Sequence, residues 1–335
     1  MNIHKKQANC ITDVSGVRVG HVTLHEKIDQ TDTICTGVTA ILPHGGNLFY
    51  QKTRAASYVI NGYGKTCGLV QMDELGLIES PIMLTNTFSV GDVWKGTLEY
   101  MLTENEEIGD STSSINIVVG ECNDSYLNSM RIQAVTPQHA MDAIEKASER
   151  PVEQGAVGAG TGMICFGYKG GIGTASRIIS TDKEHYTIGG LVLSNYGKRE
   201  QALFANWRKT DIEPSDGSIM IIIATDAPLE HRQLQRLAKR SAAGLGRTGS
   251  IHAHGSGDIA IAFSTANQVE HNEHSHLSSG TFIRDHHPIM NDLFQATVEV
   301  TTEAIINSLR FAQTTTGRKG RIIKRAPLSQ QSKMK

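Results

Sequence analysis

Short apolar runs alternate with stretches of helical periodicity along the whole chain. The runs have the length of strands, and most are bounded by glycine, asparagine or proline. They occupy residues 38–42, 115–119, 162–166, 191–193, 219–223 and 259–263. Because strands and helices are mixed and no repeat or clean linker separates them, the pattern predicts a single α/β domain over residues 1–335.

Three helices are predicted between these runs. The first begins at Thr136-Pro137, an N-cap followed by proline at the first helical position, and its apolar face continues to Arg150. The second begins near Pro228, and the third covers residues 290–311 with an apolar stripe on one side.

Two polar segments are predicted to lie outside this framework. Residues 267–288 are rich in histidine and are predicted to form a surface loop, and residues 318–335, with seven Lys/Arg and no acid, a flexible tail. Metal binding is the alternative for the histidines, but their spacing matches no standard zinc site. The histidines concerned are His271, His274, His276, His286 and His287.

Neither glycine-rich segment predicts a nucleotide site. Residues 59–66 end like a phosphate-binding loop but carry Val59 where that motif needs glycine. Residues 158–162 resemble half of a dinucleotide fingerprint but precede a strand and open no helix. The sequence therefore predicts no cofactor and no metal.

Charge, hydropathy and cysteine usage exclude several classes of function and location. The formal charge is −2 in 335 residues, so nothing favours nucleic acid as a partner. No apolar run approaches the roughly 20 residues of a membrane span, and the first residues resemble no secretory signal. The five cysteines are scattered without a CxxC pair, which indicates the reducing cytoplasm.

The strongest chemical signal is a hydroxyl residue that follows glycine and opens an apolar run. Ser218 follows Gly217 and precedes the run 219–223. Glycine has no side chain to hinder attack on its carbonyl and tolerates a strained backbone. Attack by Ser218 Oγ would cut the chain and free an α-amine with a pKa of roughly 7.7–8.0, which is a usable base beside the same hydroxyl. The alternative is an ordinary turn that enters a buried strand.

Four further side chains fit a hydrolase built on Ser218. Ser256 and Asp258 are two apart at the start of an apolar run, so on an extended chain they point to the same face. Asn195, at the end of the run 191–193, can donate its amide to an oxyanion, and Glu121, after the run 115–119, can hold a substrate ammonium. Ordinary turn and loop roles are the alternatives for all four.

The order of motifs along the chain resembles the DmpA-type aminopeptidases of the P1 peptidase family, which include the β-peptidyl aminopeptidases. The resemblance extends from about Asn9 to Asn267. Its motifs occupy residues 11–14, 17–21, 54–56, 61–64, 84–87, 89–91, 158–162, 216–218, 224–229, 247–249 and 255–258.

This resemblance implies an N-terminal-nucleophile-like fold, a four-layer α/β/β/α sandwich. It implies self-cleavage into chains 1–217 and 218–335, no metal, and a homo-oligomer, often a tetramer of α/β pairs. The implied substrates are short peptides, amino-acid amides and esters, with no membrane or nucleic-acid partner.

The resemblance also implies a role for each matching residue. Ser218 matches the nucleophile and Asn195 the oxyanion donor. Glu121 matches the carboxylate that binds the substrate amine. Tyr126 matches a residue that lines the pocket or stabilises the oxyanion, although Asn123 could occupy the equivalent place. Ser256 and Asp258 match the supporting hydroxyl and carboxylate; some relatives have Glu at the second position, so the shorter Asp must approach more closely.

Two other classes remain open. The related ornithine acetyltransferases share the fold and self-cleavage but use a threonine nucleophile, which Ser218 argues against. An uncleaved, non-catalytic binding protein is the second alternative, because sequence alone does not show that processing occurs.

Overall fold

The structure, a computed structural model, describes residues 2–6, 8–181, 184–207, 217–272 and 275–328. The strands are β1 (Asn2–His4), β2 (Arg18–Lys27), β3 (Thr33–Leu42), β4 (Gln51–Gly62), β5 (Leu77–Ile78), β6 (Ile82–Asn86), β7 (Val118–Cys122), β8 (Ile164–Cys165), β9 (Tyr168–Lys169), β10 (Gly171–Ser180), β11 (His185–Asn195), β12 (Ser218–Thr225), β13 (Gly257–Glu270), β14 (Thr315–Thr316) and β15 (Ile322–Ile323). The helices are α1 (Leu69–Leu75), α2 (Val90–Glu104), α3 (Pro137–Glu145), α4 (His231–Thr248) and α5 (Ile289–Arg310).

Two sheets pack face to face between two helical layers. The larger sheet has the order β1-β10-β11-β12-β13-β4-β5, and the smaller has the order β2-β3-β6-β7. Fully buried side chains of both sheets, among them Ile41, Leu84, Leu191 and Ile222, form the core between them. This is the four-layer α/β/β/α sandwich that the resemblance implied.

Each outer layer covers one sheet through its apolar face. Leu237 of α4 and Val300 of α5 belong to the core under the larger sheet. Val93 of α2 and Ala140 of α3 belong to the core under the smaller one. Among the helices of the described ranges, none combines the length and the apolar character needed to span a bilayer.

The apolar runs lie in strands, but several predicted boundaries are wrong. The strand predicted from Ile115 begins at Val118, because its pairing with β6 begins at Val118, opposite Ile82. The helix predicted to reach Arg150 ends at Glu145. Strand β13 continues to Glu270, into the segment predicted as a loop from residue 267, because its last residues pair with Gln51 and Lys52.

Residues 318–328, the first part of the segment predicted as a flexible tail, include a short strand and buried side chains. Strand β15 pairs with β14, and Ile323 is fully buried beside Leu127 and Ile164. Two apolar residues, Ile323 and Ala326, are buried and tie this basic segment down. The remainder, 329–335, lies outside the described residues.

Candidate active site

Four strand ends of the larger sheet meet at one place. Strands β12 and β13 are parallel, so their first residues lie side by side. Strands β11 and β4 run antiparallel to these two, so their last residues reach the same end of the sheet. In this register Asn195 lies opposite Ser218, and Asn61 lies opposite Asp258.

Ser218 is the first residue of β12 and is 6% exposed. The main-chain N–H of Gly257 donates a hydrogen bond to its Oγ at 3.1 Å. Because Oγ is the acceptor in that bond, its own proton remains available for transfer to a base. A donor aimed at Oγ also stabilises negative charge that develops there.

Gly217 is held between the ends of two strands. A Cβ at this position would lie 1.7 Å from the carbonyl oxygen of Asn195 and 2.7 Å from Cα of Tyr196. The φ of Gly217 is outside the left-handed region. Space, rather than the strained backbone expected from the sequence, is therefore what requires glycine here.

Ser256 and Asp258 form a hydrogen-bonded pair beside Ser218. The Ser256 hydroxyl donates to Oδ1 of Asp258, as their spacing predicted. Oδ2 of the same carboxylate lies 3.1 Å from Nδ1 of His252. Burial raises the pKa of Asp258, and the hydrogen bonds from Ser256 and His252 act in the opposite direction. Both oxygens of this buried carboxylate are thus engaged.

The amide of Asn195 is oriented by two main-chain groups. Its Oδ1 accepts a hydrogen bond from the Ile164 N–H at 2.8 Å, and its Nδ2 donates to the carbonyl of Asn123 at 2.9 Å. An amide NH2 carries two hydrogens, so one remains for an oxyanion. The side chain therefore presents donors, and no acceptor, away from Ile164.

A cavity of about 420 Å³ opens beside these groups. Asn195, Gly217 and Ser256 line it. Tyr126 and Asn123 both line it as well, so either residue remains a candidate for the pocket role expected from the sequence. Tyr126 packs its ring under the guanidinium of Arg321, 4.4 Å from its centroid.

Glu121 lies near the carboxyl end of β7, in the smaller sheet, and is buried. Its Oε1 accepts from the Lys65 N–H at 2.9 Å, and its Oε2 accepts from the Thr87 hydroxyl. It is not among the residues that line the cavity. A Cβ placed on Gly64 would lie 3.7 Å from both Glu121 Oε1 and Gly257 Cα, which brings the carboxylate close to the start of β13.

Two residues for which the sequence predicted no role also shape this site. Asn61 donates from Nδ2 to the carbonyls of Ala253 and Ser256 and so fixes the turn before β13. His252, with φ of 50°, places its ring on Asp258. Asn61 lies in one of the motifs shared with the family, which was the available signal; the contact of His252 has no spacing pattern that would reveal it.

The histidines of the polar segment are not drawn together in the part of the chain that the structure describes. His271 packs on the ring of Phe49 with centroids 4.4 Å apart, and His276 and His286 are exposed. His274 lies outside the described residues. No group of three or more potential metal ligands occurs within the described ranges.

The four-layer fold, with a buried serine that opens a central strand, defines a hydrolase with an N-terminal-nucleophile type of fold. The model of peptidase family S58 matches residues 9–323. The chain belongs to this family, as the resemblance in its motifs indicated, and it is a hydrolase of the aminopeptidase class.

Two curated relatives are β-peptidyl aminopeptidases. BapA of Sphingosinicella microcystinivorans is 39% identical, over 95% of this chain and 85% of its own length. BapA of Sphingosinicella xenopeptidilytica is 36% identical, over 92% of this chain and 82% of its own.

Solved structures share the whole fold. A protein from Pyrococcus horikoshii OT3 is 48% identical, with a TM-score of 0.89 over 98% of this chain and 93% of its own. The L-aminopeptidase D-Ala-esterase/amidase of Ochrobactrum anthropi is 30% identical, with a TM-score of 0.88 over 97% and 93%. That protein is described as a prototype for the serine aminopeptidases and a variant of the Ntn hydrolase fold.

Proposed function

We propose that the protein is a self-processing serine aminopeptidase that releases N-terminal residues from short peptides, amino-acid amides and esters. The observation that carries this proposal is the meeting of Ser218, Asn195 and the Ser256–Asp258 pair at one end of the larger sheet. The relatives named as β-peptidyl aminopeptidases support including β-amino acids among the substrates. A homo-oligomer, such as a tetramer of α/β pairs, is part of the same proposal.

Maturation begins when Ser218 Oγ attacks the carbonyl of Gly217. The C–N bond breaks, the acyl group moves to oxygen as an ester, and water then releases the carboxylate of Gly217. The new amine of Ser218 lies beside its own hydroxyl and serves as the base. The hydrogen bond from the Gly257 N–H to Oγ supports this role, because it leaves the hydroxyl proton free.

In turnover, Glu121 pairs with the substrate ammonium and the amine of Ser218 takes the proton from Oγ. Oγ then bonds to the substrate carbonyl carbon, and Asn195 donates to the oxyanion, a contribution of about 2.7–4 kcal/mol in comparable sites. The C–N bond breaks as the ammonium of Ser218 gives its proton to the leaving amine. Water hydrolyses the acyl-enzyme and releases the amino acid.

Intact-mass spectrometry of the denatured protein tests the first half of this proposal. We expect two species with the masses of 1–217 and 218–335, and one full-length species from Ser218→Ala. The matched control is Ser114→Ala, at an exposed serine, which should be cut normally. A single full-length mass for the unaltered protein would favour a non-catalytic binding protein.

Hydrolysis of aminoacyl p-nitroanilides tests the second half. The free-amine substrates should be cleaved by the cut protein, and their N-acetylated forms should not, because acetylation removes the charge that Glu121 would bind. Cleavage of both forms at similar rates would contradict the aminopeptidase assignment of Glu121. Cleavage by purified Ser218→Ala would contradict the nucleophile.

A further inference from the structure

Lys169 is fully buried, and within the described part of the chain its hydrogen bonds go to no carboxylate. All three bonds from its Nζ go to main-chain carbonyls: Gly160 at 2.9 Å, Met163 at 2.7 Å and Gly170 at 2.8 Å. Lysine is almost never buried in this way unless it is paired. Burial lowers its pKa to about 7, while nearby Cys35 and Asp124 act to raise it. Because burial of the Lys169 ammonium is energetically unfavourable, we expect this side chain to have a role in the protein.

The three carbonyls belong to one segment, residues 160–170, which we call the 160–170 loop. Within it β8 and β9 form a short hairpin, and the Gly170 N–H also donates to the Met163 carbonyl. An ammonium group has three N–H donors, and here each has its own acceptor. Lys169 Nζ thus holds three points of the loop, at residues 160, 163 and 170, through hydrogen bonds to a single atom.

The 160–170 loop is hydrogen-bonded to the candidate active site at Asn195 and at Tyr196, where the Phe166 N–H donates to the Tyr196 carbonyl. Its Ile164 N–H holds Oδ1 of Asn195 at 2.8 Å, and Gly162 and Ile164 line the cavity. Asn195 can serve an oxyanion only if its Nδ2, and not its Oδ1, faces the substrate carbonyl. The Ile164 N–H, together with the Asn123 carbonyl that accepts from Nδ2, therefore fixes the orientation in which Asn195 can donate there.

Asp124 lies beside this arrangement, and burial raises the pKa of its carboxyl group to about 7. It is buried, its Oδ1 accepts from Asn128, and its Oδ2 has no hydrogen-bond partner among the described residues. It packs against the loop at Gly162, where a Cβ would lie 2.8 Å from that of Asp124. A carboxylate near Nζ favours the charged form of Lys169, which is the form with three donors.

We propose that Lys169 is a positioning residue for the reaction: by holding the 160–170 loop through three carbonyls, it sets the orientation in which Asn195 donates to the oxyanion. This inference rests on the proposed function. It makes Lys169 act on the rate of the chemical step and not on substrate affinity.

The first test is Lys169→Met, which keeps the apolar stem and removes the three donors. Activity per cut chain should show kcat lowered about 10- to 100-fold, a part of the 10²–10³ that loss of an oxyanion donor costs, with KM within about twofold. The matched control is Arg177→Met, which removes another buried cation that binds Glu299 and Glu303 away from the site. It should lower the melting temperature and leave kcat unchanged.

The second test is a double-mutant cycle with Asn195→Ala. If Lys169 acts through Asn195, Lys169→Met should change kcat less than about twofold in the Asn195→Ala background. Independent, multiplying effects would overturn the proposal, as would an unchanged kcat in folded Lys169→Met. Lys169→Gln, which keeps two donors, should have a kcat between those of the unaltered protein and Lys169→Met. If neither Lys169 variant folds while Arg177→Met does, the role of Lys169 is purely structural and the proposal is overturned.

The two proposals fail differently. If Asn195→Ala itself leaves kcat unchanged, the oxyanion assignment in the proposed function is wrong. If Asn195→Ala lowers kcat and Lys169→Met does not, only the inference about Lys169 is wrong.

Discussion

Replacement of Gly217 by alanine should stop maturation while leaving the chemistry of any cut chain intact. The added Cβ would lie 1.7 Å from the carbonyl oxygen of Asn195, whereas real Cβ contacts are essentially never under 3.0 Å. The clash is with main chain, so no rotamer change relieves it. The ends of β11 and β12 must therefore separate by about 1.3 Å.

That separation moves Ser218, at the start of β12, away from Asn195, at the end of β11. A misplacement of about 1 Å costs on the order of 10²-fold in rate, because the reacting atoms leave their attack geometry. We therefore expect the half-time of cleavage in Gly217→Ala to lengthen at least 100-fold. The assay is a time course of intact masses that follows full-length protein into 1–217 and 218–335.

The matched control is Gly246→Ala, since a Cβ on Gly246 meets nothing within 4 Å. It lies in α4 and should mature normally and be stabilised by roughly 0.5–1 kcal/mol. Once the chain is cut, residue 217 is a chain end, so turnover per cut Gly217→Ala chain should be near normal. Maturation of Gly217→Ala within tenfold of the unaltered rate would refute the steric argument.

Three further outcomes are expected. Asp258→Asn should lower kcat by roughly 10²-fold without lowering expression, because asparagine keeps the shape of the side chain and removes the charge beside Ser256. A kcat equal to that of the unaltered protein would contradict this. Glu121→Gln should raise KM for free-amine substrates by tenfold or more, since a charged hydrogen bond is worth about 1.5–3 kcal/mol, and a kcat effect alone would contradict it. Burial lowers the pKa of His21 from 6.5 to about 4, so the folded protein holds this side chain neutral. The free energy of unfolding should therefore fall by about 3 kcal/mol as the pH falls from 6.5 towards 4. Urea unfolding at pH 7 and 4.5 measures this loss, which His21→Gln should remove.

The sequence predicted strand β12, whose whole length is buried. Residues 219–223 are apolar without interruption because β12 is covered on both faces, and such a run has no other good interpretation. Strand β2, with its last residues Glu26 and Lys27 exposed, has no such run and was not predicted. The end of β13 was predicted as a loop because pairing with Gln51, a contact distant in sequence, decides its conformation.

The sequence could predict those residues of the candidate site that act through a side chain at the end of a strand. Ser218, Asn195, Ser256 and Asp258 each begin or end an apolar run, and strand direction alone brings them together. Lys169 was not predictable, because its partners are carbonyls that every residue possesses. Such contacts follow from the path of the main chain, which no spacing of residue types specifies.

Asp258 stands at a position where some relatives have the longer glutamate. The resemblance to the family implied that the shorter side chain must approach more closely. In the structure Asp258 is the second residue of the strand that pairs with β12, and its Oδ1 accepts a hydrogen bond from the Ser256 hydroxyl two residues earlier. The second carboxylate oxygen is then engaged by His252, whose φ of 50° turns its ring inward. A lone buried carboxylate would be costly, and the hydrogen bonds with Ser256 and His252 reduce that cost for Asp258.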